Sequence, residues 1–363
     1  MKQRIESVDL LRGITIAAMI LVNTPGDWGS VYAPFLHADW HGLTPTDLIF
    51  PFFLFIVGIS IYYAYKFKSA TVENYKKIAI RSLKLIGLGL FLNVFTPIPP
   101  FFETLETVRI PGVLQRIGIV FFITAWLYLN CNWKTLLGIA IAILIGYWVF
   151  LGFIPLPNGV PPTFARAANN WSNYIDLHVL GKHMWQPDYD PEGLIGTLPS
   201  IATSIFGVLI GKFLDSETTN KTIKLIGFGI IGIVLGYLWN SVFPLNKALW
   251  SSSFVLATVG IATVILGIIY YIVDVRGVHF GSIFKYAGMN AITVYFLSSL
   301  ISKIFYLIPL GKGQNIHSWL YNAFFVHDVM ALNLSSLLYA LAVVLCYLGL
   351  GYYLYKKRIF IKV

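Results

Sequence analysis

Apolar residues in this 363-residue chain fall in long unbroken runs, not in the alternation of a half-buried strand or the one-sided stripe of a surface helix. Each run approaches the roughly 20 residues that carry an α-helix across a bilayer. Short polar connectors rich in Pro, Gly and Asn separate them. The pattern predicts spans near 8–24, 46–65, 78–96, 112–130, 134–153, 195–213, 222–242, 250–272, 283–306 and 334–355. The fold class is therefore all-α, a polytopic integral membrane helical bundle with about ten transmembrane helices. No Ser/Gly linker and no internal repeat divides the chain, so residues 1–363 read as a single transmembrane domain. Neither inverted repeats nor broken helices, the marks of many transporters, are evident.

An even number of spans puts both termini on one side. The long connectors, residues 25–45, 97–111, 154–194 and 307–333, then all share the other side, and loops beyond about 12–15 residues are often functional. Composition agrees with a membrane chain: 57% hydrophobic, 16% aromatic and 12% charged, with a mean hydropathy of +0.73. Soluble domains carry about 25% charged residues. The net charge of +10 would suit a nucleic-acid partner if it were clustered, but its distribution is a topology signal instead. Of the 26 Lys and Arg residues, only Arg109, Arg116, Arg166, Lys182, Lys247, Lys303 and Lys312 fall on the long-loop side. Positive residues favour the cytoplasm, so both termini are expected there, in the cell (inner) membrane. The opening run "ITIAAMILV" has the charged start of a signal peptide, but Asp9 and Arg12 intrude and no small-x-small cleavage site follows. It reads as a retained span. Cys131 and Cys346 indicate neither a disulfide framework nor a metal cluster.

Ionisable residues inside a span cost roughly 2.5–3.5 kcal/mol on insertion scales, so each calls for a partner or a function. Asp9 and Arg12, one turn apart, either neutralise each other or hold an anionic ligand. Arg81 and Lys84 share that spacing and either snorkel to the interface or face such a ligand. Asn23 ends the first span, where its amide caps the helix or points a donor into a cavity. The stretch "HADWH" then brings His37, Trp40 and His41 to the lip of the second span. Zinc is not expected: the Glu of H-E-x-x-H is missing and Gly42 and Pro45 oppose a helix. A histidine near neutral pH is suited to moving protons. Asp47 either sits at a helix start for the dipole or orients His37. In the longest connector, Trp171, Tyr174, Trp185 and Tyr189 alternate with Asp176, Asp188, Asp190 and Glu192. That mixture fits either a sugar bearing an ammonium group or an interfacial aromatic belt.

Several strings, in order, resemble one family: "ESVDLLRG", "VNTPG", "HADWHGLTPTDLIFPFFLFIVG", "RIPGVLQRIG", "DPEGLIGTLPSI", "PLNKALWSSSFVLATVG" and "YAGMNAITVYF". Together they resemble the membrane domain of heparan-alpha-glucosaminide N-acetyltransferase and its bacterial relatives, over nearly the whole chain. The resemblance implies acetyl transfer from cytosolic acetyl-CoA to the amine of a glucosamine-type sugar or glycan on the outer face. It places the active histidine on His37 and a functional Asn on Asn23, with Asp47 beside them. Asp9, Arg12, Arg81, Lys84 and Arg116 become candidates for the CoA end, and Trp40, His41, Asp190, Glu192 and Asn290 for the acceptor. His41 stands where the family often has Asn, so no catalytic role is carried to it. The lumenal domain and preceding span of the animal enzyme are not matched, which sets polymer recognition apart. A basic cytosolic mouth would concentrate CoA. His37 would act as general base or attack the thioester itself, with the Asn23 amide on the oxyanion. A homodimer is expected by analogy only. The competing readings are a sugar or amino-sugar transporter and an acyltransferase with a hydroxyl acceptor.

Overall fold

The structure, a computed structural model, describes residues 5–311 and 313–361. Lys2, Arg4, Lys312 and Lys362, which enter the charge asymmetry, lie outside the described residues. The helices run in chain order as α1 Glu6–Asn23, α2 Ile49–Tyr65, α3 Val72–Val94, α4 Val113–Asn130, α5 Trp133–Phe153, α6 Trp171–Val179 and α7 Thr197–Asp215. They continue as α8 Lys221–Trp239, α9 Ser252–Tyr270, α10 Ser282–Met289, α11 Ala291–Leu307, α12 Ile316–Phe324 and α13 Leu332–Lys356. A helix occupies each expected span, while α6 and α12 are short helices inside connectors that the apolar pattern left open.

Among the described residues, seven helices are long and apolar enough to cross a membrane: α2 with the turn before it, α4, α5, α7, α8, α9 with its π-turn extension, and α13. The expected span at 283–306 needs correction. It is a pair, α10 and α11, bent by 85° at Asn290, and would be an eighth crossing only as a pair. The Asn290 side chain donates to the Ile359 carbonyl at 3.0 Å and accepts from the Ile361 amide at 3.0 Å, so the carboxy-terminal tail is held at the break. Helices α1 and α3 stand outside the seven. Their sequences carry Glu6, Asp9 and Arg12, and Glu73, Lys76, Lys77, Arg81 and Lys84.

With no water to squeeze out between membrane helices, close packing carries their association, and small residues allow it. Helices α2 and α7 meet backbone to backbone: a methyl group on Gly58 would lie 1.9 Å from the Ser204 carbonyl oxygen, and one on Gly207 would lie 2.0 Å from that of Phe55. Gly229, Gly236 and Gly260 do the same for α8 and α9. Hydrogen bonds then sort the connectors into two groups. Contacts such as Gly42 to Leu245, Ile110 to His183, Trp40 to Phe164 and Gly26 to His317 join the four long connectors and the α8–α9 turn at one end. At the other, Asp274 holds the start of α1, Tyr75 meets Asn130, and Lys66 meets Asp215.

Candidate active site

At the long-connector end, Asp47 organises the loop that carries His37. The Asp47 side chain is 1% exposed, and its Oδ2 accepts from the Ala38 amide (3.2 Å), the Thr44 amide (3.1 Å) and the Thr44 hydroxyl (3.0 Å). Its Oδ1 lies 2.7 Å from Nδ1 of His37, which is about half exposed. An ionised carboxylate can only accept, so Nδ1 bears the proton and Nε2 is left with the lone pair. Lys247 Nζ lies 3.0 Å from Nε2 and 3.3 Å from Nδ1, against the ring beside both nitrogens, so the in-plane Nε2 lone pair stays open. Burial holds the Lys247 ammonium below the ordinary lysine range; Glu192 and Asp47 oppose this, and Arg116 adds to it.

Lys247 comes from the α8–α9 turn, which is built with unusual rigidity. Asn246 is buried, its Oδ1 accepts from the Leu249 amide at 2.7 Å, and its backbone carbonyl accepts from Ser251. Trp250 is fully buried with φ +53°, a left-handed conformation costing a side-chain-bearing residue about 1–2 kcal/mol. It is compensated by an indole hydrogen bond to Thr203 and by ring contacts with Phe50 and Phe254. The Arg116 guanidinium lies 5.2 Å from the same ring. His41 touches this turn through Asn246 at 3.4 Å.

The acidic connector is tied down rather than open. Arg109 grips Asp190 with Nε (2.8 Å) and Nη2 (2.6 Å) and also reaches Glu192. Asp190 is fully buried and accepts in addition from the amides of Trp185 and Glu192. Asp190, expected on the acceptor, has both oxygens engaged in holding the loop together. Asp188 pairs with Arg166, whose guanidinium covers Tyr189. Trp40 donates to the Phe164 carbonyl at 2.8 Å and packs edge-on against Tyr189. Arg116, expected at the CoA end, instead lies here, 2% exposed, donating to the Gly193 carbonyl at 2.8 Å; its Nε and Nη1 have no hydrogen-bond partner among the described residues. Asp176, buried beneath Gly193, has its carboxyl pushed up to about 6 by burial, against an accepted bond from Leu194 that lowers it.

Asn23 sits at the last turn of α1 with an exposed side chain and no hydrogen bond to His37. The remaining candidates lie at the opposite end. Arg12 bonds Asp9 (2.9 Å) and the Ser60 hydroxyl (2.8 Å), and Asn290 is occupied by the tail. Arg81 lies over Phe121 at 4.7 Å, whereas Lys84 is exposed on α3. A cavity of about 250 Å³ opens at that end, lined among others by Lys66, Lys68, Lys212, Tyr128, Cys131 and Trp133. No group of three His, Cys, Asp or Glu side chains able to hold a metal occurs among the described residues. Sequence reasoning missed Lys247 and Arg109 as parts of the site. Their one signal is position, as basic residues on the side where the charge pattern disfavours them.

Residues 4–229 match the family described as heparan-alpha-glucosaminide N-acetyltransferase, catalytic. The chain is also similar to the heparan-alpha-glucosaminide N-acetyltransferases of Homo sapiens, at 31% identity, and of Mus musculus, at 30%. Each comparison covers 99% of this chain and 60% of the relative, so the chain spans about three fifths of the length of the relatives it matches. His37, Asp47, Arg109 and Glu192 fall inside the family match and Lys247 beyond it. With most of its length matched by that family and nearly all of it by those two relatives, the chain belongs to the heparan-alpha-glucosaminide N-acetyltransferase family.

Proposed function

We propose that this protein is a membrane-embedded N-acetyltransferase that moves an acetyl group from cytosolic acetyl-CoA to the amine of a glucosamine-type sugar or glycan at the long-connector end. The observation that carries the reading is the 2.7 Å contact between His37 Nδ1 and the buried Asp47, which leaves Nε2 as a base in a half-open site. The acceptor ammonium gives one proton to His37 Nε2; the free amine so formed attacks the thioester carbonyl carbon, the carbon–sulfur bond breaks, and the second proton from nitrogen ends on the CoA sulfur. Asp47 keeps the tautomer and steadies the imidazolium, as carboxylates do beside catalytic histidines. Asn23 remains the candidate donor for the oxyanion. The nucleotide end of the donor is assigned to the opposite end, where the cavity with Lys66, Lys68 and Lys212 offers positive charge beside aromatic rings.

The test is release of free CoA thiol by purified protein in nanodiscs given acetyl-CoA and glucosamine. His37→Ala is expected to abolish it with an unchanged melting temperature; an intact rate in that variant sinks the assignment. A second reading, a sugar transporter, draws on the bend at Asn290, because broken helices frame many transport sites. Uptake of labelled glucosamine into proteoliposomes without acetyl-CoA would favour it.

A further inference from the structure

Acetyl transfer to an amino sugar near neutral pH leaves a proton to be disposed of. The acceptor arrives as R–NH3+ and ends as an amide, so nitrogen loses two protons. One ends on the CoA sulfur when the carbon–sulfur bond breaks, and the other has to leave the protein. His37 Nε2 can take it but must give it up before the next turnover.

We propose that Lys247 is the residue that takes this proton from His37, so that Asp47, His37 and Lys247 form one path from the reacting amine to solvent. The proposal rests on the N-acetyltransferase reading above. Among the described residues the Lys247 side chain makes its hydrogen-bonding contacts with His37 alone, at 3.0 Å to Nε2 and 3.3 Å to Nδ1, although Asp47 and Glu192 are near enough to act on its charge. A lysine serving only as glue would bind one of those carboxylates. The charged groups facing it are Asp47 from the start of α2, Glu192 from the acidic connector and Arg116 from α4, with His37 in direct contact. Arg116 and burial favour the neutral amine that can receive a proton, while Glu192 and Asp47 stabilise the ammonium once formed. The turn bearing Lys247 is fixed by Asn246 and by the left-handed Trp250, and strained backbone of this kind is retained where geometry must be held. The path is short: the Lys247 amine, already against the ring, turns into line with Nε2, takes its proton on the Nζ lone pair, and as an ammonium releases it to water at the half-open mouth. No bond other than N–H changes after the acetyl group has moved.

Lys247→Met and Lys247→Arg, measured by CoA thiol release across pH, test the role. Lys247→Met is expected to lower kcat about 10- to 100-fold with the acceptor KM within about 2-fold, a loss on the scale of a proton-transfer partner. Trimethylamine, a base that cannot form an amide, should restore part of that rate. Lys247→Arg keeps the cation and the fold but cannot become neutral to accept a proton, so it should stay slow and lose the rising inflection that deprotonation of Lys247 gives the kcat profile. A wild-type rate in either variant overturns the proposal, as does a slow Lys247→Met whose lower melting temperature accompanies no response to trimethylamine. Wild-type protein that transfers no acetyl group overturns the underlying reading, whereas active wild type with an unchanged Lys247→Met overturns only the role of Lys247.

Discussion

Asp47 does two jobs with its two oxygens, closing the loop with Oδ2 and setting the His37 tautomer with Oδ1. Asp47→Asn keeps the shape but presents an amide that can turn a donor toward Nδ1, so transfer is expected to fall about 10²- to 10⁴-fold with melting largely kept. A rate within about 3-fold of wild type would leave Asp47 a loop-closing residue only. Asp176 carries a stability prediction of defined sign. Its folded-state value of about 6 lies above the ordinary 3.8, so its contribution to stability is complete below 3.8 and is lost as pH rises through about 6. The melting temperature of wild-type protein in nanodiscs should therefore fall between pH 5 and pH 7, and Asp176→Asn should flatten that slope; an unchanged slope would mean that the carboxylate is accommodated without cost. Residues of the site were legible in sequence only where they are close along the chain. His37 and Asp47, separated by 10 positions, were found together, whereas Lys247 lies 210 positions from His37 and no periodicity links them.

At the scale of elements, two arginines that pair with the acidic connector have very different weights. Arg109 neutralises the fully buried Asp190, so Arg109→Met strands a carboxylate away from water and is expected to cost about 3–5 kcal/mol. Arg166 meets Asp188 where both are well exposed, and Arg166→Met should cost no more than about 1 kcal/mol. Thermal unfolding of the two variants side by side checks the ranking; equal losses would mean that the acidic connector does not need its buried pair. The same contrast explains what the sequence hid. Apolar runs announced the long helices because burial in lipid demands them, but the run through Asn290 continues on both sides with no Pro to mark a break. The Asn290 amide at the bend is bound by the distant tail, which is tertiary information. The acidic residues of the connector were legible as a cluster, yet their partners were not: Arg109 comes from another loop and Arg166 from 22 positions away in the same one, and neither separation leaves a local pattern.

The whole molecule is polarised between an end with long, pinned connectors and an end with short basic ones. Single cysteines at Lys182 and Glu217, both exposed, in a background lacking Cys131 and Cys346, are expected to react with a membrane-impermeant maleimide from opposite sides. Labelling of both from one side would overturn the sidedness read from charge. Helix positions and this polarity came from composition and charge alone, because a bilayer imposes them on any sequence that spans it. The broad cavity at the basic end did not, since it is formed by residues from α2, α4, α5, α7 and their flanking turns. One of the two natural thiols, Cys131, lines that cavity, while Cys346 lies exposed on α13. The protein thus carries its own occupancy gauge: a ligand filling the cavity would slow alkylation of Cys131, while Cys346, near the middle of the α13 span, is shielded from aqueous reagent by the bilayer and leaves that signal clean.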